Sequence, residues 1–93
     1  MKIYLEEKDN KGSFYIAENG QRLAEMTFSK TGTNVLIIDH TEVSDALRGT
    51  GAGRKLVAEA VAYARANHLK IMPLCPFAKS VFDKTPEYAD VLM

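Results

Sequence analysis

The chain has 93 residues with 12 Lys or Arg against 12 Asp or Glu, a zero net charge that argues against a general binder of nucleic acid or of anionic membrane, both of which call for a basic excess. That length, with 46% hydrophobic and 26% charged residues, predicts one soluble globular domain spanning residues 1–93. A lone cysteine, Cys75, excludes a disulfide within one chain and fits a reducing compartment. With no signal-peptide pattern and no apolar run near the roughly 20 residues that span a bilayer, the expected location is cytoplasmic.

Residues 2–6 and 13–18 read as strands, with turn chemistry between them at Asp9-Asn10-Lys11-Gly12. Asn19-Gly20 marks a tight hairpin turn. Residues 21–29 then alternate, with Ala24, Met26 and Phe28 facing one way and Glu25, Thr27 and Ser29 the other. After Lys30-Thr31-Gly32-Thr33, residues 34–43 carry the β-branched run of a central strand, Val35-Leu36-Ile37-Ile38. A helix follows over about 52–67, where Leu56, Val57, Ala60, Val61 and Ala64 form one apolar stripe. Residues 70–74 form a short strand, and Cys75-Pro76 opens a second helix, since proline suits a first helical position. Thr85-Pro86 ends that helix. The tail, Glu87 to Met93, is too short to assign. The order predicts an α+β domain with one mixed, mainly antiparallel sheet and two helices; the first helix is long enough to cross between parallel strands.

The chemically telling segment is Arg48-Gly49-Thr50-Gly51-Ala52-Gly53, between the central strand and the long helix. The first turn of a helix has N–H groups without intrahelical partners. Those donors, with the positive end of the helix dipole, favour an anion such as a phosphate. A P-loop would need a second glycine five residues after Gly49, where Arg54 stands, and the glycine spacing misses the dinucleotide fingerprint from either Gly49 or Gly51. What fits is Arg-x-x-Gly-x-Gly, made by Arg48, Gly51 and Gly53, with Val43 five positions upstream.

That pattern resembles the acetyl-CoA motif of the GNAT superfamily of N-acetyltransferases. Together with the following helix, Ile71 to Cys75 and Pro86-Glu87-Tyr88, it is similar to the small single-domain members of that superfamily, from about residue 13 to the end. The resemblance implies a reduced GNAT fold and acetyl-CoA, or coenzyme A, as cofactor. It implies that the backbone of Arg48, Gly49, Thr50, Gly51, Ala52, Gly53 and Arg54 holds the pyrophosphate, the glycines giving close approach, with the Arg48 and Arg54 side chains as added charge or as a solvated helix start. The pantetheine arm is expected beside Glu42, Val43 and Ser44, where an N–H near Val43 polarises the thioester carbonyl. Phe77 and Tyr88 are candidates for the pocket lining.

Acetyl transfer to an amine needs a base for the amine proton and an acid for the departing thiolate. His40 and Glu42 are candidate bases, His40 having the right intrinsic pKa. They equally suit a strand end without catalysis. Cys75, at a helix N-terminus that favours thiolate, is readable as a nucleophile, as an acid or as a buried structural thiol. No metal ligand set is expected. The acceptor, a small-molecule or protein amine, stays open. So do the choice between a monomer and a weak homodimer, and the alternative of a non-catalytic acyl-CoA-binding module.

Overall fold

The computed structural model describes residues 1–93. Five strands, β1 (Tyr4–Lys8), β2 (Lys11–Glu18), β3 (Gln21–Thr31), β4 (Val35–Val43) and β5 (Lys70–Pro73), lie side by side in chain order. The first four pair antiparallel, and β5 runs parallel to β4. The crossover between those two is helix α1 (Ala52–Asn67), and α2 (Pro76–Lys84) follows β5. The expected α+β order with a mixed sheet and two helices is what forms. The first strand starts two residues later than its pattern suggested.

Hairpin chemistry sets the registers. Asn19 and Gly20 both take positive φ, 52° and 78°, as the two central positions of a type I′ turn require. On β3 the inward residues are Ala24, Met26 and Phe28, all buried. They join Phe14, Ile16, Leu36 and Ile38 from the other strands and the apolar stripe of α1, with Ala78, Val81 and Phe82 of α2, in one core cluster. The helices therefore cover one face of the sheet. The other face carries Tyr15, Glu25, Thr27, Ser29 and Ile37, none of them in the core.

Helix α1 ends at His68, an exposed residue in the left-handed conformation (φ 57°), whose N–H donates to Ala64 C=O. The tail acquires structure only through contact. After a 3-10 turn at Pro86–Tyr88, the Ile71 N–H donates to Val91 C=O (2.6 Å) and the Met93 N–H to Ile71 C=O (2.9 Å). Val91 is buried, and the tail covers the outer edge of β5. No helix is long and apolar enough to cross a membrane.

Two irregularities position the site. First, β4 and β5 pair only from Val35 to Ile38 and from Lys70 to Pro73. The Leu74 and Cys75 N–H groups both turn back to the Ile38 carbonyl (3.1 and 3.3 Å), so the remainder of β4 has no partner on that side. Second, β4 carries a bulge against β3. Thr27 pairs with His40 and its neighbour Phe28 with Ile38, leaving Asp39 as an extra residue.

Candidate functional site

The gap where β5 leaves β4 opens onto the start of α1. Between them runs a groove of about 360 Å³, lined by Thr41 and Val43 of β4, by Leu47, Arg48, Gly49, Gly51, Ala52, Gly53 and Arg54, and by Phe77 of α2. The N–H groups of Gly49, Gly51, Ala52, Gly53 and Arg54 have no acceptor within the chain, whereas the Thr50 N–H is taken up by Leu47 C=O. Gly51 caps α1 in the left-handed conformation without a side-chain cap. A row of unpaired donors at the positive end of a 16-residue helix is chemically fitted to an anion.

The glycines have separate reasons for being there. Gly49 and Gly51 take φ of 80° and 78°, and a Cβ on either would meet open space; at both, the turn itself demands the left-handed region. At Gly53 the reason is packing, since a Cβ there would come within 2.6 Å of the Phe77 ring. The Arg48 guanidinium pairs with Asp45 (2.6 Å), both side chains being highly exposed, and the Thr50 hydroxyl donates to Leu47 C=O (2.6 Å).

Cys75, 5% exposed, is the residue that caps α2; it does not itself line the groove and meets its wall through Thr41. Its thiol donates to Thr41 Oγ1 at 3.4 Å. Burial pushes the thiol pKa up, but hydrogen bonding from the Thr41 hydroxyl and from the backbone of Ala78, Phe77 and Thr41 outweighs it, and the net direction is down. The hydrogen bond the sulfur makes is to the Thr41 hydroxyl, and Cys75 makes no side-chain cap bond to α2; the net direction favours thiolate.

The bulge separates the sequence candidates. Thr41 and Val43 pair with the buried Met26 and Ala24, so they face the helices. His40 and Glu42 pair with Thr27 and Glu25 and surround a depression of about 140 Å³ with them on the helix-free face. Both are exposed and stand away from the Cys75 sulfur. Ser44 is occupied as a cap, its hydroxyl accepting from the Ala46 N–H (3.2 Å) and its own N–H donating to Leu23 C=O (2.7 Å). It lines a separate hollow of about 230 Å³ with Arg22 and Glu25. Because Ser44 points its backbone at β3, alternation turns the Val43 N–H toward the gap. Tyr88 stacks edge-on against Phe82, with ring centroids 5.8 Å apart, and does not line the groove.

Thr41 and Leu47 line the groove without having stood out in the sequence. A threonine late in a β-branched strand carries no signal of its own, and its orientation depends on a bulge defined by the neighbouring strand.

The GCN5-related N-acetyltransferase family model matches residues 13–91. The solution structure of a GCN5-like candidate N-acetyltransferase from Staphylococcus aureus is 42% identical, covers 97% of this chain and 87% of its own, and superposes with a TM-score of 0.75. The fold is shared with a ribosomal-protein-alanine N-acetyltransferase from Brucella melitensis (16% identity, TM-score 0.66, 81% of this chain and 62% of that one). It is shared too with a candidate streptothricin acetyltransferase from Bacillus anthracis solved with acetyl coenzyme A (24% identity, TM-score 0.58, 71% and 38%). No curated protein matches the sequence.

Proposed function

The chain belongs to the GCN5-related N-acetyltransferase family, whose members use acetyl-CoA, and from that premise we propose that its residues 1–93 act as one domain that transfers an acetyl group to an amine through Cys75. One observation carries the reading: the unpaired donors at the start of α1 and Thr41, whose hydroxyl accepts from the Cys75 thiol, line a single groove. The N–H groups of Gly49, Gly51, Ala52, Gly53 and Arg54 would hold the pyrophosphate, and the open backbone of β4 around Val43 would lie along the pantetheine arm. Acetyl-CoA supplies the acyl group as an activated thioester.

The Cys75 thiolate would attack the thioester carbonyl, forming acetyl-Cys75 and expelling the coenzyme A thiolate, which would take up the proton that the Cys75 thiol gave up on ionising. The acceptor amine then attacks that carbonyl from the gap between β4 and β5. One amine proton returns to the Cys75 sulfur, and the acetylated amine departs. The Val43 N–H, turned toward the gap, would stabilise the developing oxyanion. His40 and Glu42 border a hollow on the helix-free face, away from the gap the amine enters, so neither takes that proton. The acceptor is a small-molecule or protein amine, and the chain works as a monomer or weak homodimer. The cytoplasm, where thiols stay reduced, suits this use of Cys75.

The test is mass spectrometry of the intact chain after brief exposure to acetyl-CoA, followed by an amine panel with free thiol release recorded. A labile acetyl adduct on Cys75 that disappears as an amine is acetylated is the expected result. Turnover by Cys75→Ala at the wild-type rate would remove the thiol from the reaction. Saturable coenzyme A binding without thiol release for any amine would reduce the chain to a binding module.

A further inference from the structure

We propose that Thr41 is the positioning residue for the Cys75 sulfur, brought to it by the bulge at Asp39–His40 in β4. Side chains alternate faces along a strand, so with Leu36 and Ile38 in the core an unbroken β4 would turn His40 and Glu42 toward the helices. Thr41 would then stand on the open face with Ile37. The extra residue opposite Thr27 inverts that order. Thr41 instead pairs with the buried Met26 and meets a sulfur 34 residues away in sequence.

Threonine suits the position chemically. Its hydroxyl accepts from the neutral thiol, as observed at 3.4 Å, and by rotating its proton it donates to the thiolate. No charged side chain does the same. Of those on the surrounding elements, Arg54 of α1 lines the groove mouth and Lys79 of α2 pairs with Asp83 (3.4 Å). Lys70 of β5 donates to Asp90 C=O (2.6 Å), and His40 and Glu42 of β4 lie on the far face. Thr41 is therefore the side chain that sets where the sulfur points and how readily it ionises. Its place in acetyl transfer rests on the role of Cys75 proposed above; its effect on the thiol does not.

Cys75 is the only cysteine, so thiolate ultraviolet absorbance against pH, with Cys75→Ala as blank, reports this one group in the full chain without any ligand. Thr41→Val keeps the shape and removes the hydroxyl; Thr41→Ser keeps the hydroxyl. The expected result is a valine variant with about tenfold less thiolate at a given pH below the transition, its midpoint displaced upward by about one pH unit, and a serine variant close to wild type. A valine variant that titrates as wild type overturns the proposal. If circular dichroism shows that Thr41→Val does not fold, Thr41→Ala is titrated and judged in the same way. Calorimetry with coenzyme A runs alongside: a displaced titration in a chain that binds no coenzyme A leaves Thr41 in its role and removes the acetyltransferase reading.

Discussion

An added Cβ on Gly53 would stand 2.6 Å from Cζ and 2.8 Å from Cε2 of Phe77. The first turn of α1 and the first turn of α2 thus touch through a glycine and a ring, at the wall of the groove. Phe77 is 38% exposed, so a larger residue at 53 is accommodated by swinging the ring outward, across the mouth of the groove. Gly53→Val is expected to keep its helical circular dichroism and to lose at least about tenfold in coenzyme A affinity, from steric closure and loss of close approach to the helix N-terminus. Calorimetry on the folded variant measures it, and unchanged affinity would mean that the anion sits elsewhere.

Gly51 poses a different problem. Space is open around it, but φ is 78°, where an L side chain costs about 1–2 kcal/mol. Gly51→Ala is expected to lower the melting temperature by about 4–8 °C per kcal/mol. Gly49→Ala, at φ 80°, should behave alike. A Gly51→Ala chain as stable as wild type would show that the left-handed cap is not what the glycine supplies.

Arg48 is held by Asp45 at 2.6 Å, with 81% and 89% of the two side chains exposed. Exposed pairs of this kind contribute little to stability, so Asp45→Asn should leave the melting temperature nearly unchanged. It removes a negative charge beside the proposed pyrophosphate site. Coenzyme A should therefore bind a few-fold more tightly at low salt, the gain fading as screening shortens the reach of charge. A gain that persists at high salt would point to a conformational rather than an electrostatic effect.

Strand β1 contributes no buried residue and is tied down by polar contacts. Glu7 pairs with Lys30 of β3, and the Tyr63 hydroxyl of α1 donates to Glu7 (3.0 Å) while accepting from Lys30 (2.7 Å). The Lys30 hydrogen bond leads in holding the Glu7 carboxyl below its ordinary pKa, against the opposing effect of burial and with help from Tyr63. A depressed carboxyl pKa adds stability above the unfolded value, about 4.3, and that stability is lost as pH falls through the folded value. Glu7→Gln should therefore flatten the loss of stability with acid below about pH 4.3. Tyr63→Phe should cost about 1 kcal/mol near neutrality. Denaturant titrations across pH decide both, and an unaltered acid slope in Glu7→Gln would remove this carboxylate from the acid response.

Much of the molecule was legible from local chemistry. The turn at Asn19-Gly20, the alternation Ala24-Met26-Phe28, the stripe from Leu56 to Ala64 and the start of α2 at Pro76 each depend on neighbours a few residues away. So does the row of unpaired N–H donors at the start of α1, because such donors belong to any helix start and the glycine spacing is written in the chain. These features require only propensity, periodicity and the geometry of a helix end.

The direction of the side chains near the sulfur belongs to tertiary pairing. Whether His40 and Glu42 or Thr41 and Val43 face the helices depends on one extra residue opposite Thr27. A bulge is a property of two strands in register, so β4 read in isolation cannot contain it. The Thr41–Cys75 contact spans 34 residues and exists because β5 pairs with β4 as far as Ile38 and then departs. Local residue order is enough to set unpaired donors at the start of α1. Long-range strand pairing selects the residues around the Cys75 sulfur, because packing one face of β4 against the core forces every later residue on the strand to one side or the other.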